Sequence, residues 1–174
     1  MSAEEALPAE SRWVFLIDPA WHQQGRNLPR PPREAVVGGW YVEADGTTGR
    51  FRSNPDYAPG PDSPTDPVDA VLRLAVKGRL RAGELLAVLR DAEFGIAVDD
   101  EGAPVVAPAP DGEASILVTT APAHRDRVRV AGWRDATAAE LAEALPDEGV
   151  DVLLNPGSTA STRILASALR EAVG

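Results

Sequence analysis

His22 and His124 are the only histidines in the chain, and so the only side chains with an ordinary pKa suited to proton transfer near neutral pH. Neither has a second His or a Cys at ligand spacing, so no metal site is expected. The chain contains no cysteine, which excludes disulfides, thiolate nucleophiles and Cys-bound zinc. Asp99-Asp100-Glu101-Gly102 is acidic, but an EF-hand loop needs alternating ligands and a closing Glu at its twelfth position, where this chain has Pro110. These four residues read as a solvated hairpin turn.

Nucleophilic chemistry is equally sparse. Gly157-Ser158-Thr159-Ala160-Ser161 lacks the glycine spacing of a nucleophile elbow. His124-Arg125-Asp126 matches the kinase triplet in letters alone, since the partner Asn expected five residues after the Asp is Ala131. No cofactor is expected. An enzyme reading requires His22 or His124 to meet an acid and an exposed hydroxyl in a buried cleft. For His22 such a site would lie near the 155–158 turn.

The aromatic residues offer more. Trp21 follows Asp18-Pro19-Ala20 into a loop, Trp40 follows two glycines, and Tyr57 stands in a Pro-rich turn. Trp and Tyr outside a core often anchor binding surfaces. Arg26, Arg30 and Arg33 would make that surface locally positive, so these six residues form a candidate partner-binding face. The plainer reading puts Trp13 and Trp40 in the core and folds Trp21 over a sheet edge. Gly38-Gly39 marks a bulge or a close backbone approach.

The elements that hold these residues fall into two units. Residues 1–12 read as a disordered N-terminus, 13–58 as a small β unit, 59–66 as a Pro/Gly-rich linker, and 67–174 as an α+β domain. In the first unit, strands are predicted over 13–17, 36–42 and 50–53, with a turn at Asp45-Gly46. Three strands without a helix bury little by themselves.

The second unit opens on a helix signal: Asp66 as N-cap, Pro67 at the first position, and Asp69 placed to bond back to the cap. Val68, Val71, Leu72 and Ala75 follow as one apolar stripe. A shorter helix carries Leu85, Leu86 and Leu89. A hairpin pairs 95–98 with 104–107, and Ser115 to Thr120 is the strongest strand. A further strand is expected over 128–133. Thr137 and Glu140 form a capping box for a helix stopped by Pro146. Strand 150–154 then breaks at Asn155-Pro156-Gly157, Ser158 caps a final helix, and that helix bears Ile164, Leu165, Ala168 and Leu169. The N–H groups at the 156–158 turn could hold an anion, although no Lys or Arg lies within it and Arg163 is one turn further on. A structural corner is the simpler reading. The mixture of elements lacks strict βαβ alternation, so the expected class is α+β, a mixed sheet with helices packed against it.

The order of these elements resembles the SseB family: paired helices, a hairpin, a strand ending in Thr-Thr, a helix, and an apolar strand breaking at Asn-Pro-Gly. The matching residues are Leu117-Val118-Thr119-Thr120-Ala121-Pro122 and Leu153-Leu154-Asn155-Pro156-Gly157-Ser158. The whole chain, roughly residues 13 to 172, looks like a longer actinobacterial variant of that family, the type VII secretion system-associated proteins. Residues 15–21, 38–40, 54–57 and 64–70 carry this wider likeness. The resemblance implies a secretion context, with a secretion component or substrate as protein partner and no enzyme activity.

Composition narrows the partners. Of 174 residues, 27 are acidic and 17 basic, giving a net charge of −10. Residues 1–66 carry −4 and residues 67–174 carry −6, so neither half offers the basic surface that nucleic acid needs. No apolar run approaches the length of a membrane span, and the first residues are acidic where a signal peptide is basic. A cytoplasmic protein without membrane insertion is expected, acting by protein contact as an accessory or adaptor. The acidity also suits an immunity-type inhibitor that fills a basic cleft.

Overall fold

A computed structural model describes residues 11–23, 30–80 and 82–174. Of His22, Gln23 and Ala82 only the backbone is described, and Arg26 lies outside the described residues. The chain divides into two units, 1–63 and 64–174. Its class is α+β.

The first unit is a three-stranded antiparallel sheet in the order β1-β2-β3, with β1 at Arg12–Ile17, β2 at Val36–Val42 and β3 at Arg52–Ser53. Trp13 pairs with Tyr41, Val14 with Trp40, and Phe15 with Gly39. Side chains alternate across a strand, so Trp13, Phe15, Tyr41 and Arg52 share one face while Val14, Trp40 and Phe51 share the other. The glycine pair serves close approach. A Cβ on Gly39 would lie 2.7 Å from the Val14 carbonyl oxygen, and one on Gly38 would lie 2.4 Å from that of Arg52.

A short helix, α1 (Pro19–Gln23), follows β1, and Arg33–Ala35 form a 3-10 turn before β2. Two polar side chains fasten these connections. The Asn54 amide donates to the carbonyls of Arg33 and Val36, both at 2.8 Å. Buried Asp18 accepts from the Ala20 N–H at 2.9 Å and from the Tyr57 hydroxyl at 3.0 Å.

The second unit contains helices α2 (Pro67–Val76) and α3 (Ala82–Arg90), then strands β4 (Glu93–Val98), β5 (Val106–Pro108), β6 (Ala114–Thr119) and β7 (Gly132–Thr137). Helix α4 (Ala138–Ala144), β8 (Asp151–Leu154), β9 (Thr162–Ile164) and α5 (Ala166–Val173) complete it. The sheet runs β7-β4-β6-β8-β9, with β5 also pairing to β6. Only β6 and β8 are parallel neighbours. One face, carrying Phe94, Ile96, Ile116, Val118, Val152 and Leu154, packs in a single core with Val68, Leu72, Leu89, Leu141 and Leu169 from the helices. The opposite face is small: Ala97, Leu117 and Leu153 meet Ala109, Val128 and Trp133.

Five expectations change. Trp21, expected in a loop, lies in α1. The strand placed at 128–133 begins at Gly132 and continues to Thr137, because β4 holds its backbone along Arg134 and Asp135, which are exposed and leave no apolar alternation to read. Of the expected hairpin only the turn end forms, through the Val98–Pro104 bridge and the Val105 N–H bonding the Ala97 carbonyl at 2.9 Å, while 106–108 pairs with β6. Ser158 caps no helix. The chain turns through 155–161, adds β9 antiparallel to β8, and only then enters α5. Strand β1 starts at Arg12, one residue inside the segment expected to be disordered.

Candidate functional site

Side chains with chemical capacity converge on the exposed aromatic face of the first unit. Trp13 is 42% exposed and Phe15 56%, and their rings stack at 6.1 Å with an interplanar angle of 8°. Tyr41 tilts against Trp13 at 5.6 Å. The Arg52 guanidinium lies over the Trp13 ring at 5.8 Å, within cation–π range.

A groove of about 390 Å³ crosses this face. Trp13 and Phe15 form one wall, the glycine pair lies beneath, and Arg33, Arg52 and Asn54 to Asp56 form the rest. Arg33 reaches Asp56 at 4.0 Å. Among the described residues, Arg52 has no carboxylate within ion-pair distance. The arrangement offers apolar rings, fixed backbone and a guanidinium that no carboxylate neutralises among the described residues.

The residues expected to form the partner face take several positions. Arg33 lines the groove and Arg30 is exposed. Trp40 points to the opposite face, where its ring meets Phe51 at 4.9 Å. Tyr57 bonds Asp18, Trp21 is half-buried, and Arg26 lies outside the described residues. The plainer expectation of Trp13 in the core is overturned by its exposure. The sequence pattern does not single out Phe15 or Arg52 as surface residues. The available signal was that a sheet without a helix covers few side chains, so an unbroken apolar strand in it leaves some exposed.

The second convergence is a buried polar cluster just beyond the carboxyl ends of β6 and β8. In open α/β sheets this position commonly holds a ligand; in this chain its own side chains occupy it. Asp66, the N-cap of α2, accepts through Oδ1 from the N–H groups of Val68 at 2.8 Å and Asp69 at 3.0 Å. Its Oδ2 accepts from the hydroxyls of Thr65 and Thr120, both at 2.7 Å. Asn155, fully buried with φ of 48°, accepts from the Thr120 N–H at 2.9 Å and donates to the Thr120 hydroxyl oxygen at 2.9 Å. Asp69 accepts from the Thr65 N–H at 3.0 Å and from Arg73 Nε at 2.9 Å. Its bond therefore goes to the residue before the cap, one position from where a capping box puts it.

His124 Nε2 lies 2.8 Å from the Thr65 hydroxyl and 3.9 Å from Asp69. His124 is 2% exposed. Burial pushes its pKa down, against the pull of Asp69 and Asp66, so the ring is held neutral. Burial also pushes the Asp66 carboxyl up, opposed by donors from Thr120, Asp69 and Thr65. The meeting of His124 with a hydroxyl and an acid falls short of a catalytic triad. Both partners share Nε2, whereas a triad sets its acid on the opposite ring nitrogen. His124 Nδ1 has no hydrogen-bond partner among the described residues. The cluster fastens the start of α2 to the ends of β6 and β8.

The 155–158 turn is a structural corner. The Ser158 N–H donates to the Asn155 carbonyl at 3.0 Å, and the Ser158 hydroxyl accepts from the Ala160 N–H at 3.2 Å. With no helix starting there, the anion idea loses its basis. Arg163 instead bonds Asp111 at 2.7 Å and also Asp151. Among the described residues there is no group of three His, Asp or Glu placed to hold a metal, and no helix is long and apolar enough to cross a membrane.

Comparison with family models, curated proteins and solved structures found no match.

Proposed function

We propose that this protein acts by protein–protein contact, as a non-catalytic accessory protein that engages its partner through the aromatic face of the first unit. The observation that carries this reading is the stacked Trp13–Phe15 pair, exposed beside Arg52, which meets no carboxylate among the described residues. Trp, Tyr and Arg dominate binding hot spots, and a contiguous exposed apolar patch rimmed by polar groups marks an interaction surface. Covering an aromatic side chain of this size contributes roughly 1.5–3 kcal/mol. The setting, a secretion system with one of its components or substrates as partner, is supported by the resemblance to the SseB family.

Affinity capture from a lysate of the native host tests the reading. Wild-type protein is expected to retain a partner that the Trp13→Ala/Phe15→Ala variant loses. Identical capture by both proteins contradicts it.

A further inference from the structure

We propose that the groove on the first unit takes an acidic segment of another protein. This deepens the contact reading and rests on it.

Charge carries the argument. The chain as a whole is −10, yet the groove presents two arginines against one carboxylate. Asp56 already pairs with Arg33. Arg52 is left as an exposed cation, spread over the Trp13 ring, with no carboxylate among the described residues to neutralise it. A cation held over an aromatic face is positioned in advance, so a carboxylate meeting it loses little side-chain freedom. An incoming Asp or Glu beside apolar residues would match the guanidinium and the two rings together.

Asn54 braces the wall by bonding the carbonyls of Arg33 and Val36, so the groove exists before anything enters. A stacking platform with arginine also suits single-stranded nucleic acid. The overall negative charge disfavours that occupant, because a polyanion sets many charges against the whole field while a short peptide sets a few against the groove.

Selection of a displayed random-peptide library on the full chain tests this. Recovered peptides are expected to carry net negative charge, with affinity falling about tenfold between low salt and about 0.3 M salt. Arg52→Glu should turn the selection toward basic peptides, while Arg134→Glu, an exposed change on β7, should leave it acidic. Neutral or basic peptides on the wild type, no enrichment, or an equal effect of both reversals would overturn the proposal. So would tighter binding of oligothymidylate than of the selected peptides. If partner capture still depends on Trp13 and Phe15 when the selection fails, the contact reading stands and the acidic occupant falls. If neither depends on them, both fall.

Discussion

The Thr120 hydroxyl donates to Asp66 Oδ2 at 2.7 Å, joining the end of β6 to the first turn of α2 across 54 residues of chain. The same Asp66 oxygen accepts from Thr65, so its carboxylate has four donors in all. Asp66→Ala removes the cap and the acceptor for both hydroxyls, and is expected to cost about 2–3 kcal/mol. Asp66→Asn keeps a capping oxygen, and the hydroxyls can turn toward His124 and Asn155, so it should cost less than about 1 kcal/mol. Urea midpoints with an unchanged slope measure both. Equal loss in the two variants would contradict this account of the cluster.

His124 gives the fold a pH dependence. Its pKa is lowered in the folded state, so on acidification the unfolded chain takes up the proton first. Its contribution is therefore present above the ordinary histidine value of 6.5 and declines as pH falls below it, at up to about 1.4 kcal/mol per pH unit. Asp66 has the opposite sign: its raised pKa gives a contribution that is lost as pH rises above 3.8 toward the folded value. Arg73 and Arg127 also face His124 and resist its protonation. Stability measured from neutral pH downward should fall in the wild type, and the part due to this ring should vanish in His124→Gln.

Asn155 combines a left-handed backbone with buried bonds to Thr120. Asn155→Ala loses the bonds and strains the backbone, about 3 kcal/mol together. Asn155→Gly loses only the bonds, so it should be more stable than the Ala variant by about 1 kcal/mol. Thermal or urea unfolding of the pair decides this, and the reverse order would refute a conformational role.

Contact and stability should separate at the surface. Trp13→Ala and Phe15→Ala are expected to change folding stability by less than about 1 kcal/mol each, because both side chains are exposed. Leu72→Ala, at a fully buried position in the main core, should cost about 2–5 kcal/mol. Parallel unfolding curves measure the contrast.

Local signals served well where the bonds are local. Asp66 before Pro67 predicts α2, and Thr137 with Glu140 predicts α4; both caps form. Helix α5 shows the opposite case. The Ala166 N–H at its start is met by Asp151 Oδ1 at 2.9 Å, fifteen residues away, so no local signal announces the helix and the sequence pattern starts it too early. Strand β9 has three residues, too few to show alternation. The polar cluster draws Thr65, His124 and Asn155 from distant parts of the chain, which no spacing rule links. The continuous apolar run of β1 reads as a buried strand, because the sequence does not say how many layers cover a sheet.

Site-specific crosslinking tests the central claim most directly. A photoreactive phenylalanine in place of Phe15, activated in cells of the native host, should join the protein to a second polypeptide. The same group at Leu165, an exposed apolar position on the second unit, should not. A crosslink at Leu165 as strong as that at Phe15, or none at Phe15, would contradict the assignment of function to the aromatic face.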